Sequence, residues 1–135
     1  MNSKAHTLLL EAPSLLGFIG SADTDGMPRT VPVWYSWDGK LIHVTTASSS
    51  VWVNNLINDS RSSFCVAERG PRYQAVVMRG RVQVDNKGEA EVRRIFLRYM
   101  DAQQTEDYYA AIEYELRMVR FEPDRVMLRS SSRSR

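Results

Sequence analysis

RYQAVVMRGRVQVD, residues 72–85, is the longest stretch of the chain that reads as a strand, and its interior carries a glycine. β-Branched residues occupy both of its faces, which fits a strand covered on two sides. Gly80 marks a bulge or bend within it. A strand that bends at a glycine and serves two sheet regions is what a small barrel requires.

Upstream, RSSFCVAE (61–68) alternates like a half-buried strand, and Gly70-Pro71 turns the chain between the two runs. Further back, LLGFIGSADTDGMPRTVPVWYSW (15–37) gives two extended runs with Asp25-Gly26 as their turn. Pro32 cannot donate to a ladder, so the second run belongs at a sheet edge, at a bulge, or beside a site where its neighbour stops. Asp38-Gly39 then makes a short hairpin connection into KLIHVTT (40–46).

Downstream, GEAEVRRIFLRYM (88–100) places Val92, Ile95, Phe96, Tyr99 and Met100 on one helical face, with Arg93, Arg94 and Arg98 directed largely to solvent. TEDYYAAIEYE (105–115) predicts a second helix with Thr105 as its cap and acids in the first turn. LRMVRFE and RVMLR flank Pro123-Asp124 as a closing strand pair. At the other end, SKAHTLLLEA (3–12) suits a short helix capped by Ser3 and ended by Pro13. Consecutive, hairpin-linked strands with helices at the side predict a mainly β, largely antiparallel sheet or small barrel. Residues 1–129 form one domain, and the Ser/Arg tail 130–135 has nothing to bury.

Composition narrows the function classes. A net charge of +2 over 135 residues, without a basic stripe, gives no argument for nucleic acid. No apolar run approaches the ~20 residues needed to cross a bilayer, and no signal-peptide pattern opens the sequence, so a cytoplasmic protein is expected. Cys65 is the only cysteine, which suits a reducing compartment and a structural thiol. His6 and His43 lack ligand-like neighbours, and no metal site is expected.

The segment TTASSSVWVNNL (45–56) runs from a strand end through a serine-rich turn into a helix. The first N–H groups of a helix lack internal partners and carry partial positive charge. With Thr45, Thr46, Ser48, Ser49 and Ser50 they can hold a phosphate, and Arg29 on the preceding strand can add a full charge. Taken alone, such a cluster reads first as a cap and a loop.

The order of these parts resembles the pyridoxamine 5′-phosphate oxidase-like family of flavin-binding split β-barrels. The resemblance rests on the Asp-Gly turn, the Gly-x-Pro-Arg entry, VPVW, the Thr-Thr strand end, the helix with NNL, the bent VVMRGRVQV and the closing VRFEPDRVMLR. It implies a six-stranded antiparallel split β-barrel with flanking helices. It also implies a homodimer with cofactor sites at the subunit interface, binding FMN or a deazaflavin. Arg29, Thr46 and Ser50 would hold the cofactor phosphate, the backbone from Thr30 through Val31 and Pro32 to Val33 would line the ring, and Trp34 would wall it.

The sequence departs from the family at one point. The family commonly places a lysine, often after another basic residue, where this chain has Val51 and Trp52. A hydrogen bond to a charged group is worth about 1.5–3 kcal/mol, so the loss weakens phosphate binding by roughly one to two orders of magnitude. Arg72, Arg79 or Arg81 are candidates to compensate. Trp52 reads first as packing, with a ligand cover or a stacking partner as alternatives.

Two functions follow. One is a flavin- or deazaflavin-dependent oxidoreductase of a small-molecule substrate, with Arg29 and Tyr73 as polar candidates near that substrate; the cofactor carries the chemistry, so no catalytic dyad is needed. The other is a non-catalytic dimeric binding module that has lost part of the phosphate site. Heme handling occurs among relatives of the fold, but neither histidine offers an axial ligand.

Overall fold

The computed structural model describes residues 9–12, 15–70 and 73–130. The chain order is β1 (Gly17–Ala22), β2 (Pro28–Val33), β3 (Ser36–Trp37), β4 (Ile42–Ala47), α1 (Val51–Asn58), β5 (Arg61–Glu68), β6 (Gln74–Asn86), α2 (Glu89–Phe96), α3 (Ala102–Ala111) and β7 (Leu116–Ser130). All strand pairings are antiparallel, in one curled seven-stranded sheet of order β2-β1-β5-β6-β7-β4-β3. The strand beyond the expected six is β3, which has only two residues.

The curl originates at Gly80. A Cβ there would run into the Glu122 carbonyl oxygen, so only glycine lets β7 approach this closely. The register shifts between Arg79 and Gly80, which pair with Arg125 and Pro123 and leave Asp124 as the extra residue. Both long strands therefore bend together. Their first halves and second halves serve different regions: β7 pairs with β4 through Leu116 to Phe121 and runs along β6 for its full length. The expected closing hairpin is thus one bent strand; Pro123, lacking an N–H, is accommodated at the bulge without breaking it.

Pro32 lies in β2, an edge strand, as its missing donor demands. The hairpin between β3 and β4 turns on Gly39 at φ 98°, with Asp38 Oδ1 accepting from the Lys40 and Leu41 amides.

Inside the curl, Tyr35, Phe64 and Phe121 form the aromatic centre, with Phe64 edge-on to Tyr35 at 5.5 Å between centroids. Val53, Leu56 and Trp52 of α1 close one end of this core, and Leu9 and Leu10 are fully buried against it. A second cluster, Val92, Ile95 and Phe96 of α2 against Leu116 and Met118, seats the helices on the sheet; these helix positions were predicted by their spacing.

Two local expectations are corrected. Helix α3 begins at Ala102, not after Thr105, because Asp101 and Gln104 form a capping box that satisfies two free donors at once. Thr105 is instead buried inside the helix. Arg98 is not simply solvated: it donates to the Leu10 and Ala12 carbonyls and lies over the Tyr35 ring at 4.5 Å. Ser3, His6, Pro13, Pro71, Arg72 and residues 131–135 lie outside the described residues.

An ion network ties α2 to the sheet. Arg120 of β7 donates to both Glu91 oxygens at 2.6 and 3.0 Å and to Asp85 at 2.7 Å. It also donates to His43 Nδ1 at 2.9 Å, which leaves Nε2 carrying the hydrogen toward Asp38 at 2.7 Å. Among the described residues, no helix is long and apolar enough to cross a membrane.

Candidate functional site

A cleft of about 430 Å³ opens where β2, the end of β4 and the start of α1 meet α2 and α3. That size lies within the range of small-molecule pockets. One wall is built by Pro32, Val33 and Trp34 with Thr45 and Thr46 of β4. Trp52 lies at its base, 8% exposed, and belongs equally to the core. Phe96, Tyr108, Ile112 and Tyr114 line the rest of the cleft, with Trp34 packed against both Phe96 and Tyr108.

Each wall follows from local sequence. Because β2 is an edge strand, alternate backbone groups on its outer side lack ladder partners and remain available to a ligand. Trp34 stacks on Tyr99 at 4.9 Å and 9° between planes, so its ring is held by the turn after α2. Tyr108 packs edge-on against Phe96 at 5.1 Å.

The cleft gathers Pro32, Val33, Trp34, Thr45, Thr46 and Trp52 from the expected site. Ser50 is bridged to Thr46 by a hydroxyl contact of 3.2 Å; it precedes α1 in extended conformation, its carbonyl accepting from the Asn54 amide while its side chain makes no bond to the first turn. The serine therefore does not act as a side-chain cap. The Ser48 amide is tied to the Glu115 carbonyl, while Ser49 is exposed. Thr45 donates to the Arg117 carbonyl.

Arg29 stands apart from the cleft. It pairs with Ser21 across β1 and borders two neighbouring hollows, one shared with Val51, Asn54 and Asn58, the other with Arg61 and Arg79. Its guanidinium binds Asp23, which accepts from Asn55 as well. The Arg29 bonds, with help from Asn55, hold the Asp23 carboxyl below the usual range. Thr30 is exposed and Val31 half-buried against the core. Tyr73 does not line the cleft. Cys65 is half-buried on the outer side of β5, where burial pushes its thiol up.

The wall from α3 escaped sequence reasoning. Tyr108, within α3, and Tyr114, three residues past its end, stood in a segment read only as a helix; both are substantially exposed, at 43% and 53%.

The family model described as pyridoxamine 5′-phosphate oxidase matches residues 3–129. The chain belongs to this family. No curated protein matches the sequence. Among solved structures, this pyridoxamine 5′-phosphate oxidase family member is similar to a conserved hypothetical protein of Mycobacterium tuberculosis, at 20% identity and TM-score 0.74, covering 95% of this chain and 83% of that one. An F420 reductase is similar at 21% identity and TM-score 0.62, covering 90% and 94%. A heme-binding protein of Mycobacterium smegmatis is similar at 18% identity and TM-score 0.67, covering 94% of this chain and 55% of that one. At these identities the likeness shows the shared fold. In this family member both nitrogens of His43 are engaged, by Arg120 and Asp38.

Proposed function

We infer that the protein is a flavin- or deazaflavin-dependent oxidoreductase acting on a small molecule. The observation that carries this reading is the cleft joining the edge backbone of β2 to the start of α1. A flavin ring has one polar edge and two apolar faces, and this wall offers unpartnered backbone groups between Val33 and Trp34 on one side and Trp52 on the other. Thr46, Ser50 and the first N–H groups of α1 would receive the phosphate, with Ser48, Ser49 and Val51 at its margin; Arg29, which borders the neighbouring hollow with Val51, would add its charge only on leaving Asp23. The bound cofactor supplies hydride transfer; the chain positions it and excludes water.

Two copies form the working unit in this reading. Pro32, Phe18, Cys65, Val77 and Met127 lie side by side across five strands on the outer face of the sheet. Phe18 and Met127 are 39% and 54% exposed, an apolar row that a second copy would cover. The unpaired Cys65 suits a reducing, cytoplasmic setting.

The second reading, a non-catalytic binding module, is favoured by Arg29 being engaged with Asp23 while the first turn of α1 starts with Val51 and Trp52. Titration of the purified protein with FMN and with a deazaflavin, followed by absorbance, separates the two. Micromolar binding of either supports the oxidoreductase, and failure of both leaves the binding module.

A further inference from the structure

We propose that the substrate of this cleft is an uncharged, planar aromatic molecule held against Tyr108 and Tyr114. The proposal rests on the cleft being the reaction site and adds the chemical class of what it takes.

Among the described residues, none that lines the cleft is an acid, a lysine, an arginine or a histidine. At the tyrosine end, away from the first N–H groups of α1, a carboxylate or ammonium would shed water without gaining an ionic partner from this chain, whereas a neutral ring would lose little. The acidic residues nearest in sequence, Glu113 and Glu115, flank Tyr114 and are exposed, so an anion meets like charge beside that wall.

The wall is also shaped for a flat ring. Tyr108 is held by Phe96 at 5.1 Å and by Trp34 at 5.9 Å, and Trp34 is fixed in turn by its stack on Tyr99. Rings held in this way present faces and edges that favour offset or edge-on packing by another aromatic group. Among the described residues neither the Tyr108 nor the Tyr114 hydroxyl has a hydrogen-bond partner, although both side chains are substantially exposed. Each can donate to a carbonyl or hydroxyl oxygen on a neutral ligand. The edge strand thus takes the cofactor ring, and the tyrosine wall takes the substrate.

Calorimetric titration of the purified protein with 2-naphthol and with 2-naphthoate, which share a ring system and differ in charge, tests the assignment. The naphthol is expected to bind at least about tenfold more tightly. Tyr108→Ala should weaken naphthol binding by about tenfold, and Tyr108→Phe should retain most of it. Equal or tighter binding of the naphthoate, or naphthol binding unchanged in a folded Tyr108→Ala protein, would overturn the proposal; Tyr114→Ala serves as the second variant if the first does not fold. FMN titration is scored separately. A protein that binds FMN yet shows no preference for the neutral ring loses this inference alone, whereas one that prefers the neutral ring but binds neither cofactor loses the oxidoreductase reading and keeps the cleft as a binding site for that ring.

Discussion

Arg29 reaches Asp23 through two bonds, Nε at 2.9 Å and a terminal nitrogen at 3.3 Å, and Asn55 of α1 donates to the same carboxylate at 2.7 Å. The one arginine at this end of β2 is thus already balanced by an acid. A phosphate arriving there must compete with Asp23 or share the guanidinium with it.

Removing that competitor should therefore strengthen anion binding. Asp23→Asn keeps a hydrogen-bonding side chain beside Asn55 and is expected to tighten FMN binding by about tenfold, while Arg29→Ala weakens it by about ten- to a hundredfold. Absorbance titration of both variants checks this; no change in either would remove Arg29 from the phosphate site.

The start of α1 offers a complementary gain. Val51 is 54% exposed, so Val51→Lys introduces an ammonium without disturbing packing and should also tighten FMN binding about tenfold with an unchanged thermal midpoint. Trp52 is buried in the core, and Trp52→Lys should cost about 3–5 kcal/mol, read by urea denaturation.

At the bend of β6 there is no space for a methyl group. Gly80→Ala drives a Cβ into the Glu122 carbonyl, and backbone must move to relieve it. A loss of about 1–3 kcal/mol is expected in urea denaturation. A neutral result would mean that the two strands separate easily at this point.

Acid should loosen the ion network around Arg120. Its bonds hold the Glu91 and Asp85 carboxyls below their usual range; for Asp38, burial pushes upward but the Leu41, His43 and Lys40 bonds outweigh it and leave the group at about 2. Groups held low in the folded state stabilise fully above their ordinary values and lose that contribution as pH falls through the folded ones. The stability of the protein should therefore decline below the ordinary carboxylate range, with the Asp38 share persisting to about pH 2. Glu91→Gln should cost about 1–2 kcal/mol at pH 7, allowing for solvent screening, and flatten the decline between pH 7 and 3. Denaturation midpoints across that range decide it.

Across the outer face of the sheet, Phe18→Arg places a charge within the apolar row of Cys65, Val77 and Met127. Sedimentation should show the wild type as a dimer and the variant as a monomer with weakened FMN binding. A monomeric wild type would exclude a site shared between two copies.

Much of this architecture is legible in the sequence alone. Period-two runs, the two Asp-Gly turns and the glycine in β6 located the strands and their bend, because those signals are local. Pro32 narrowed β2 to an edge, a bulge or the border of a site through its missing donor, and the edge is where it lies. What sequence could not give depended on partners distant along the chain. Asp23 lies six residues before Arg29, yet their ion pair forms only once β1 and β2 are in register. Tyr108 became a wall of the cleft because α2 and α3 pack over β4 and β7, and a low-contrast helix such as α3 gives no sequence sign of which side covers the sheet. Thr105 lost the capping role to Asp101 through a reciprocal pair in which either residue alone is unremarkable.

Among the described residues β7 alone bridges β4 and the remainder of the sheet, and it follows the other six strands in chain order. Until it pairs, β4 and β6 each display an open flank, and half of the aromatic centre lacks Phe121. Closure of the sheet therefore depends on a pairing between segments distant along the chain, β4 with β7, a kind of contact that forms slowly and leaves strand flanks open to wrong partners until β7 docks.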